Sequence, residues 1–324
     1  MYNRGVRRRS VAILILALIV AGAAVAAWTW WRSTAARDVR LLPDADGYFY
    51  IDLATLRRAG AIDQLPPVSE DPEYRDFIQA TGFRFERDVN SAAFAIHGQP
   101  GFDAAALESL RFSEVFSGNI DRERATAYLR KIAQQAASYR GCEIFYVPYQ
   151  GRTVRVTFLD DHHVAVSNAE SDAPLHSVIE KFAQTGPTSS PRLVAEFYPE
   201  VPAGSLVWLI ARLNSAGEPA RGAVLSSALQ RTLGGSTAIA SLRFLTALDV
   251  RIEAIAPTQE KASEIAQDAG TFLQLYTVAQ QQAGAGGSDP DVKAALRSLE
   301  VQQDGRRVVL TASIPPRVIR KLAR

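Results

Sequence analysis

Gly151-Arg152-Thr153-Val154-Arg155-Val156-Thr157 returns late in the chain as Gly305-Arg306-Arg307-Val308-Val309-Leu310-Thr311. Both stretches read as the return strand of a β-hairpin. Gln150-Gly151 and Asp304-Gly305 supply the tight turns, because glycine takes positive φ without a steric penalty. Phe145 and Val147 precede the first turn as Leu299 and Val301 precede the second. Alternation along Val154, Val156 and Phe158, and along Val308, Leu310 and Ala312, predicts one buried face in each hairpin.

Two further pairs of segments surround these hairpins. Leu42-Pro43-Asp44-Ala45-Asp46-Gly47 leads into a predicted strand, Tyr48 to Leu53, and Tyr198-Pro199-Glu200-Val201-Pro202-Ala203-Gly204 leads into another, Ser205 to Ile210. An amphipathic helix then follows a strand in each half. Asp121 caps the first, with Ala125, Leu129, Ile132, Ala133 and Ala136 on its apolar stripe; Thr258 caps the second, with Ala262, Ile265, Ala266, Ala269, Phe272, Leu273 and Tyr276 on its stripe. Short helices near Leu175 to Ala183 and Val318 to Leu322 close the halves. An Ala/Gly/Ser loop, Ala283 to Ser288, lengthens the second half, so the repeat is one of topology more than of sequence. The expected halves are 41–186 and 192–324, joined by Gly186-Pro187-Thr188-Ser189-Ser190-Pro191. Each half is expected to pack helices on a mostly antiparallel sheet; one continuous sheet shared by both is the alternative.

Residues 11–31 carry no charged group, and at about 1.5 Å per helical residue such a run spans a hydrocarbon core of roughly 30 Å. Residues 1–10 then form a basic cytoplasmic tail (Arg4, Arg7, Arg8 and Arg9), and Trp28, Trp30 and Trp31 sit at the far interface. Cleavage after Ala26, behind Ala24-Val25-Ala26, is the competing reading. Residues 32–40 read as a polar linker. The expected fold class is thus α+β, an N-terminal transmembrane helix followed by two similar halves. The expected location is a single pass through a bacterial inner (plasma) membrane, with the N-terminus cytoplasmic and the C-terminal part extracytoplasmic.

The sequence pI of 8.7 belongs to the tail. Removing its four arginines from the 36 Lys and Arg leaves 32 against 34 Asp and Glu, a net of −2 for residues 32–324. Nucleic acid is excluded as a partner, since binding it needs a basic folded surface. Cys142 is the single cysteine, which rules out an intramolecular disulfide, and it reads as a small buried hydrophobe.

Asp160-Asp161-His162-His163 is the one cluster of metal-ligand type. Neighbours on a strand point to opposite faces, so the flanking strands make it a polar hairpin tip and no metal site is assigned to Asp161, His162 and His163. His97 and His176 have no partner close in sequence, and G-x-S-x-G, S-x-x-K, H-E-x-x-H and phosphate-loop patterns are missing. Asp44, Asp46 and Asp52 lack calcium-loop spacing. The aromatic set Tyr139, Phe145, Tyr146 and Tyr149 suggests a groove, although alternation makes half of it ordinary core. No catalytic residue, cofactor or metal is therefore expected.

The segment Leu42-Pro43-Asp44-x4-Phe49-x-Ile51-Asp52-Leu53, placed directly after the apolar run, resembles uncharacterised membrane-anchored bacterial proteins of unknown-function families. That resemblance implies export and a repeated α+β domain, and brings no catalytic residues. The leading functional expectation is a noncatalytic, membrane-tethered interaction or scaffold module with an envelope protein partner. A binder of lipid or another apolar ligand held between the halves is the alternative, and a hydrolase is third.

Overall fold

The computed structural model describes residues 36–62, 71–98, 110–184, 188–213, 232–244, 247–282, 294–295, 297–315 and 318. Helix α1 (Arg37–Leu41) leads into β1 (Gly47–Asp52); α2 (Leu53–Arg58), α3 (Pro72–Thr81) and α4 (Phe85–Asp88) precede β2 (Val89–His97) and β3 (Arg111–Gly118). Helix α5 (Arg122–Ile132) precedes β4 (Gln135–Tyr139), β5 (Cys142–Tyr149), β6 (Arg152–Phe158), β7 (His163–Ser167) and α6 (Ala173–Ala183). After α7 (Arg192–Phe197) and a 3-10 turn (Tyr198–Glu200) come β8 (Val207–Arg212), β9 (Thr237–Phe244), β10 (Leu248–Ile255), α8 (Gln259–Gln282), β11 (Glu300–Asp304) and β12 (Arg307–Ile314).

All twelve strands join one sheet in the order β11-β12-β10-β9-β8-β1-β2-β3-β7-β6-β5-β4. Every neighbouring pair runs antiparallel. Strands β1 and β8, the two that follow the Pro/Gly turns, lie side by side at its centre with Tyr50 opposite Trp208 and Tyr48 opposite Ile210. Each carries apolar residues on both faces, with Tyr48, Trp208 and Ile210 sealed on one face and Phe49 and Leu209 part-exposed on the other. Tyr48 is sealed, and its hydroxyl donates to the Pro43 carbonyl at 2.8 Å, which holds the entry turn against the strand.

One face of the sheet is covered by α1, α6 and α7. Val39, Leu41, Leu42, Leu175, Val178, Ile179, Leu193 and Val194 pack there on Tyr48, Ala93, Ala95, Val115, Ile144, Trp208 and Ile210. The opposite face is covered only at its ends. Toward β5, β6 and β7, Ala125 and Leu129 of α5 lie on Phe145, Phe158 and Val164. Phe77 of α3 and Phe83 lie on Val89 and Ala92. At the far end, Ala262 and Ile265 of α8 lie on Ala254 and Val308.

Several expectations are corrected. No helix among the described residues is long and apolar enough to cross a membrane. The span expected at 11–31 lies outside the described residues, as do 1–10 and 32–35. The architecture is therefore α+β with one large antiparallel sheet, and the expected spanning helix followed by two separate sheet-bearing halves does not describe it. The β1–β8 pairing removes any boundary between sheets, because separating the halves would leave two apolar strands with unpaired edges. The end of the expected polar linker is core: Val39 is sealed and Asp38 is only 6 % exposed. The first amphipathic helix stops at Ile132, and Ala136 belongs to β4. Its cap is as expected, with Asp121 accepting from the Arg124 amide at 3.1 Å. Both hairpins form, yet β7 separates β6 from β3 whereas β12 pairs directly with β10. Phe272 is 60 % exposed, off the buried side of α8. The turn at Gly186 and Pro187, the loop 283–288, and the last helix except for the buried Val318 fall outside the described residues.

Candidate functional site

The incompletely covered sheet face is the most informative surface. One register line crosses it with a single residue from each strand: Val301, Leu310, Ile252, Ala240, Leu209, Phe49, Phe94, Glu114, Val166, Val156, Phe145 and Ala136. Eleven are apolar; the exception is Glu114.

Between the helix covers this face keeps surface. Ile252 is 44 % exposed, and Val207, Leu209, Leu242, Val250 and Leu310 are part-exposed. The rings of Phe49, Phe94 and Phe112 form a row over β1, β2 and β3, with centroids 5.8 and 6.0 Å apart. Exposed apolar patches of this continuity mark interaction surfaces in soluble domains.

Glu114 sits between Phe94 on β2 and Val166 on β7, with Phe112 and Phe116 two residues away on the same face. It makes no hydrogen bond or ion pair among the described residues. Burial among aromatic and aliphatic groups pushes its carboxyl up to about 8, because a low-dielectric surrounding disfavours the charged form. An unshared carboxyl in such a place is costly unless it later meets a partner.

The residues singled out from the sequence lie elsewhere, and mostly on the other face. His163 ends the β6–β7 tip. Its Nδ1 is 2.8 Å from Asp160 Oδ1 and its Nε2 is 3.8 Å from Asp38 Oδ1. Asp160 also accepts the His162 and His163 amides at 2.8 and 2.7 Å, which folds the tip as a polar turn. His162 and Asp161 point into solvent. Among the described residues no three His, Cys, Asp or Glu side chains are placed to hold a metal ion.

Asp38 extends this network inward. It accepts the Ser91 hydroxyl at 2.5 Å, and Ser91 lies 2.7 Å from Ser117 Oγ. Burial raises its carboxyl, with Ser91 and His163 pulling the other way. Ser117 stands opposite His163 in register, yet both ring nitrogens face carboxylates, so no hydroxyl–imidazole nucleophile pair forms. His97 Nε2 does meet Ser113 Oγ at 2.9 Å, and Ser113 passes on to Ser167 at 3.0 Å. Ser113 is fully sealed, so no substrate carbonyl reaches it. Burial holds His97 below the usual imidazole range, against the nearby Asp46.

His176 stacks on Tyr139 with centroids 3.7 Å apart. Tyr139 and Tyr146 anchor α6 through Glu180 at 2.6 Å and Asp172 at 2.7 Å. Phe145 lies under α5 and Tyr149 is exposed, so the four aromatics form no groove. Asp44, Asp46 and Asp52 diverge, accepting from the amides of Arg192, Gly98 and Thr55. Cys142 is half-buried and burial raises its thiol.

No protein-family model matches the chain, and no curated protein does. Solved structures similar to it include TP0453. Its crystal form III has a TM-score of 0.49 and 11 % identity, over 89 % of this chain and 97 % of that one. Crystal form IV has a TM-score of 0.45 and 12 % identity, over 91 % and 99 %.

Proposed function

We propose that the chain is a noncatalytic interaction module of the bacterial cell envelope, working on the extracytoplasmic side, which receives an amphipathic helix of a partner protein on its open sheet face. The supporting observation is the apolar register line, left without a covering helix among the described residues from Ile252 to Phe94. The four spacings across strands β10, β9, β8, β1 and β2 span about 19 Å at roughly 4.8 Å each, and a helix with its side chains is about 10 Å wide. Helices α5 and α8 already use this mode on the same face, each laying an apolar stripe across strands. A partner helix with a lysine or arginine opposite Glu114 would satisfy the carboxyl and select its own register.

Export rests on the uncharged run at 11–31 and the four arginines before it.

The test is crosslinking in intact membranes followed by affinity capture of the tagged full chain, alongside Leu209→Asp and Ile252→Asp. The same envelope protein should be recovered with the wild type and lost with both variants, while circular dichroism stays native. Recovery undiminished by the variants would refute this surface as the contact.

A further inference from the structure

The opposite face of the sheet carries an open cleft of about 580 Å³ over β9, β10, β12 and β11, walled by the 3-10 turn at Pro199 and Glu200. Its charges fall into two groups. Arg307 grips Glu200 with two hydrogen bonds of 2.7 and 3.1 Å. Glu253, only 1 % exposed, lies between Arg307 at 2.5 Å and Arg251 at 2.9 Å. These four charges cancel and make a rigid wall.

Arg243, Asp249 and Glu300 are left over. Arg243 stands opposite Asp249 in register, where an ion pair is the ordinary expectation. Asp249 instead accepts the Ser313 hydroxyl on its other side at 3.1 Å, and Arg243 makes no ion pair among the described residues. Glu300 on β11 lies across Thr311 and likewise makes none. Both line the cleft. Three strand spacings of roughly 4.8 Å separate β9 from β11, and Arg243 lies two residues along β9 from Ser241, the residue in line with Glu300, so the two positions are about 16 Å apart. An extended chain of four to five residues covers about that length.

We propose that this cleft binds a short extended peptide of about four residues, its terminal carboxylate on Arg243, its terminal ammonium on Glu300, and its backbone over Thr311. An ammonium and a carboxylate at the ends of one ligand match Glu300 and Arg243 in sign, while Asp249 keeps the Ser313 hydroxyl. A dipeptide is too short to reach both. The wall formed by Glu200, Arg307, Glu253 and Arg251 needs no ligand to be neutral, so it shapes the site without competing for either end.

Isothermal titration of the full chain in detergent with tetra-alanine tests this, using di-alanine, N-acetylated and C-amidated tetra-alanine as comparison ligands. Tetra-alanine should bind, and di-alanine or either capped form should bind at least about tenfold more weakly, since each loses one charge-assisted contact. Arg243→Gln should bind the free and amidated peptides alike, and Glu300→Gln the free and acetylated ones. Arg243→Lys, which retains the charge, should keep the discrimination, and circular dichroism confirms that each variant is folded. No binding of tetra-alanine, or equal binding of a doubly capped peptide, would overturn the assignment.

Discussion

Replacing Glu114 with glutamine tests how apolar the open sheet face is. In the folded chain the carboxyl is pushed up to about 8 from an ordinary value near 4.5. A raised acid contributes stability that is fully present below its unfolded value and is lost as pH climbs through its folded value. The loss is roughly 1.4 kcal/mol for each pH unit between the two, or about 3 kcal/mol by pH 7. Glu114 retains some surface, which makes that figure a ceiling. Glutamine has nearly the same shape and does not ionise, so its own burial cost is independent of pH and cancels between conditions. Urea unfolding of the full chain and of Glu114→Gln, followed by far-ultraviolet circular dichroism at pH 4.5, 6 and 7, as assay settings of about that spacing, gives the comparison. The variant should gain on the wild type by about 2 to 3 kcal/mol between the first and last pH. A difference that stays flat within about 0.5 kcal/mol would mean that water solvates the carboxylate and that the apolar line is broken there.

Arg307→Ala should cost about 3 kcal/mol in the same unfolding assay, because Glu253 then keeps only Arg251 in a sealed position; a loss under about 1 kcal/mol would show that water replaces the guanidinium. Tyr48→Phe removes the donor to Pro43 in a sealed site and should cost about 1 to 2 kcal/mol, with an unchanged melting curve counting against that bond. Asp160→Ala should cost about 1 kcal/mol by opening the β6–β7 tip, read from the same curves. Zinc should leave the melting temperature unmoved, and a rise abolished by His163→Ala would reveal a metal site after all.

Local geometry was the legible part of this fold. Gly151 and Gly305 take φ of 74° and 54°, as a turn glycine between two alternating runs requires. Strands β1 and β8 could likewise be read, since each is a short apolar run behind a Pro/Gly turn. Their pairing could not be read, because contacts between segments so distant in sequence leave no periodic signature. Ala133 and Ala136 continue the helical spacing beyond Ile132, where α5 ends. Arg140-Gly141, with φ of 48° and 82°, is the turn signal that places Ala136 on a strand instead. Asp38 looked like linker because it lies among arginines, and only the fold brings Ser91 beside it.

The site shows the same division. Histidines and paired acids draw attention because chemistry uses them, yet here they close a hairpin tip, stack on a tyrosine or line a sealed hydroxyl row. Glu114 was missed although its signal is local: in Arg111-Phe112-Ser113-Glu114-Val115-Phe116 the alternation puts the carboxyl on the same face as two phenylalanines. Ser113, on the other face, is hydrogen-bonded and sealed. A polar residue at an inward position of an alternating strand costs stability unless something outside the chain compensates it. The sheet is apolar from β11 to β4 along this line except at that point, and the region nearby is the one that described helices leave open. A surface built only for packing would carry leucine or valine at 114. The proposed partner helix would place its cationic group over this carboxyl.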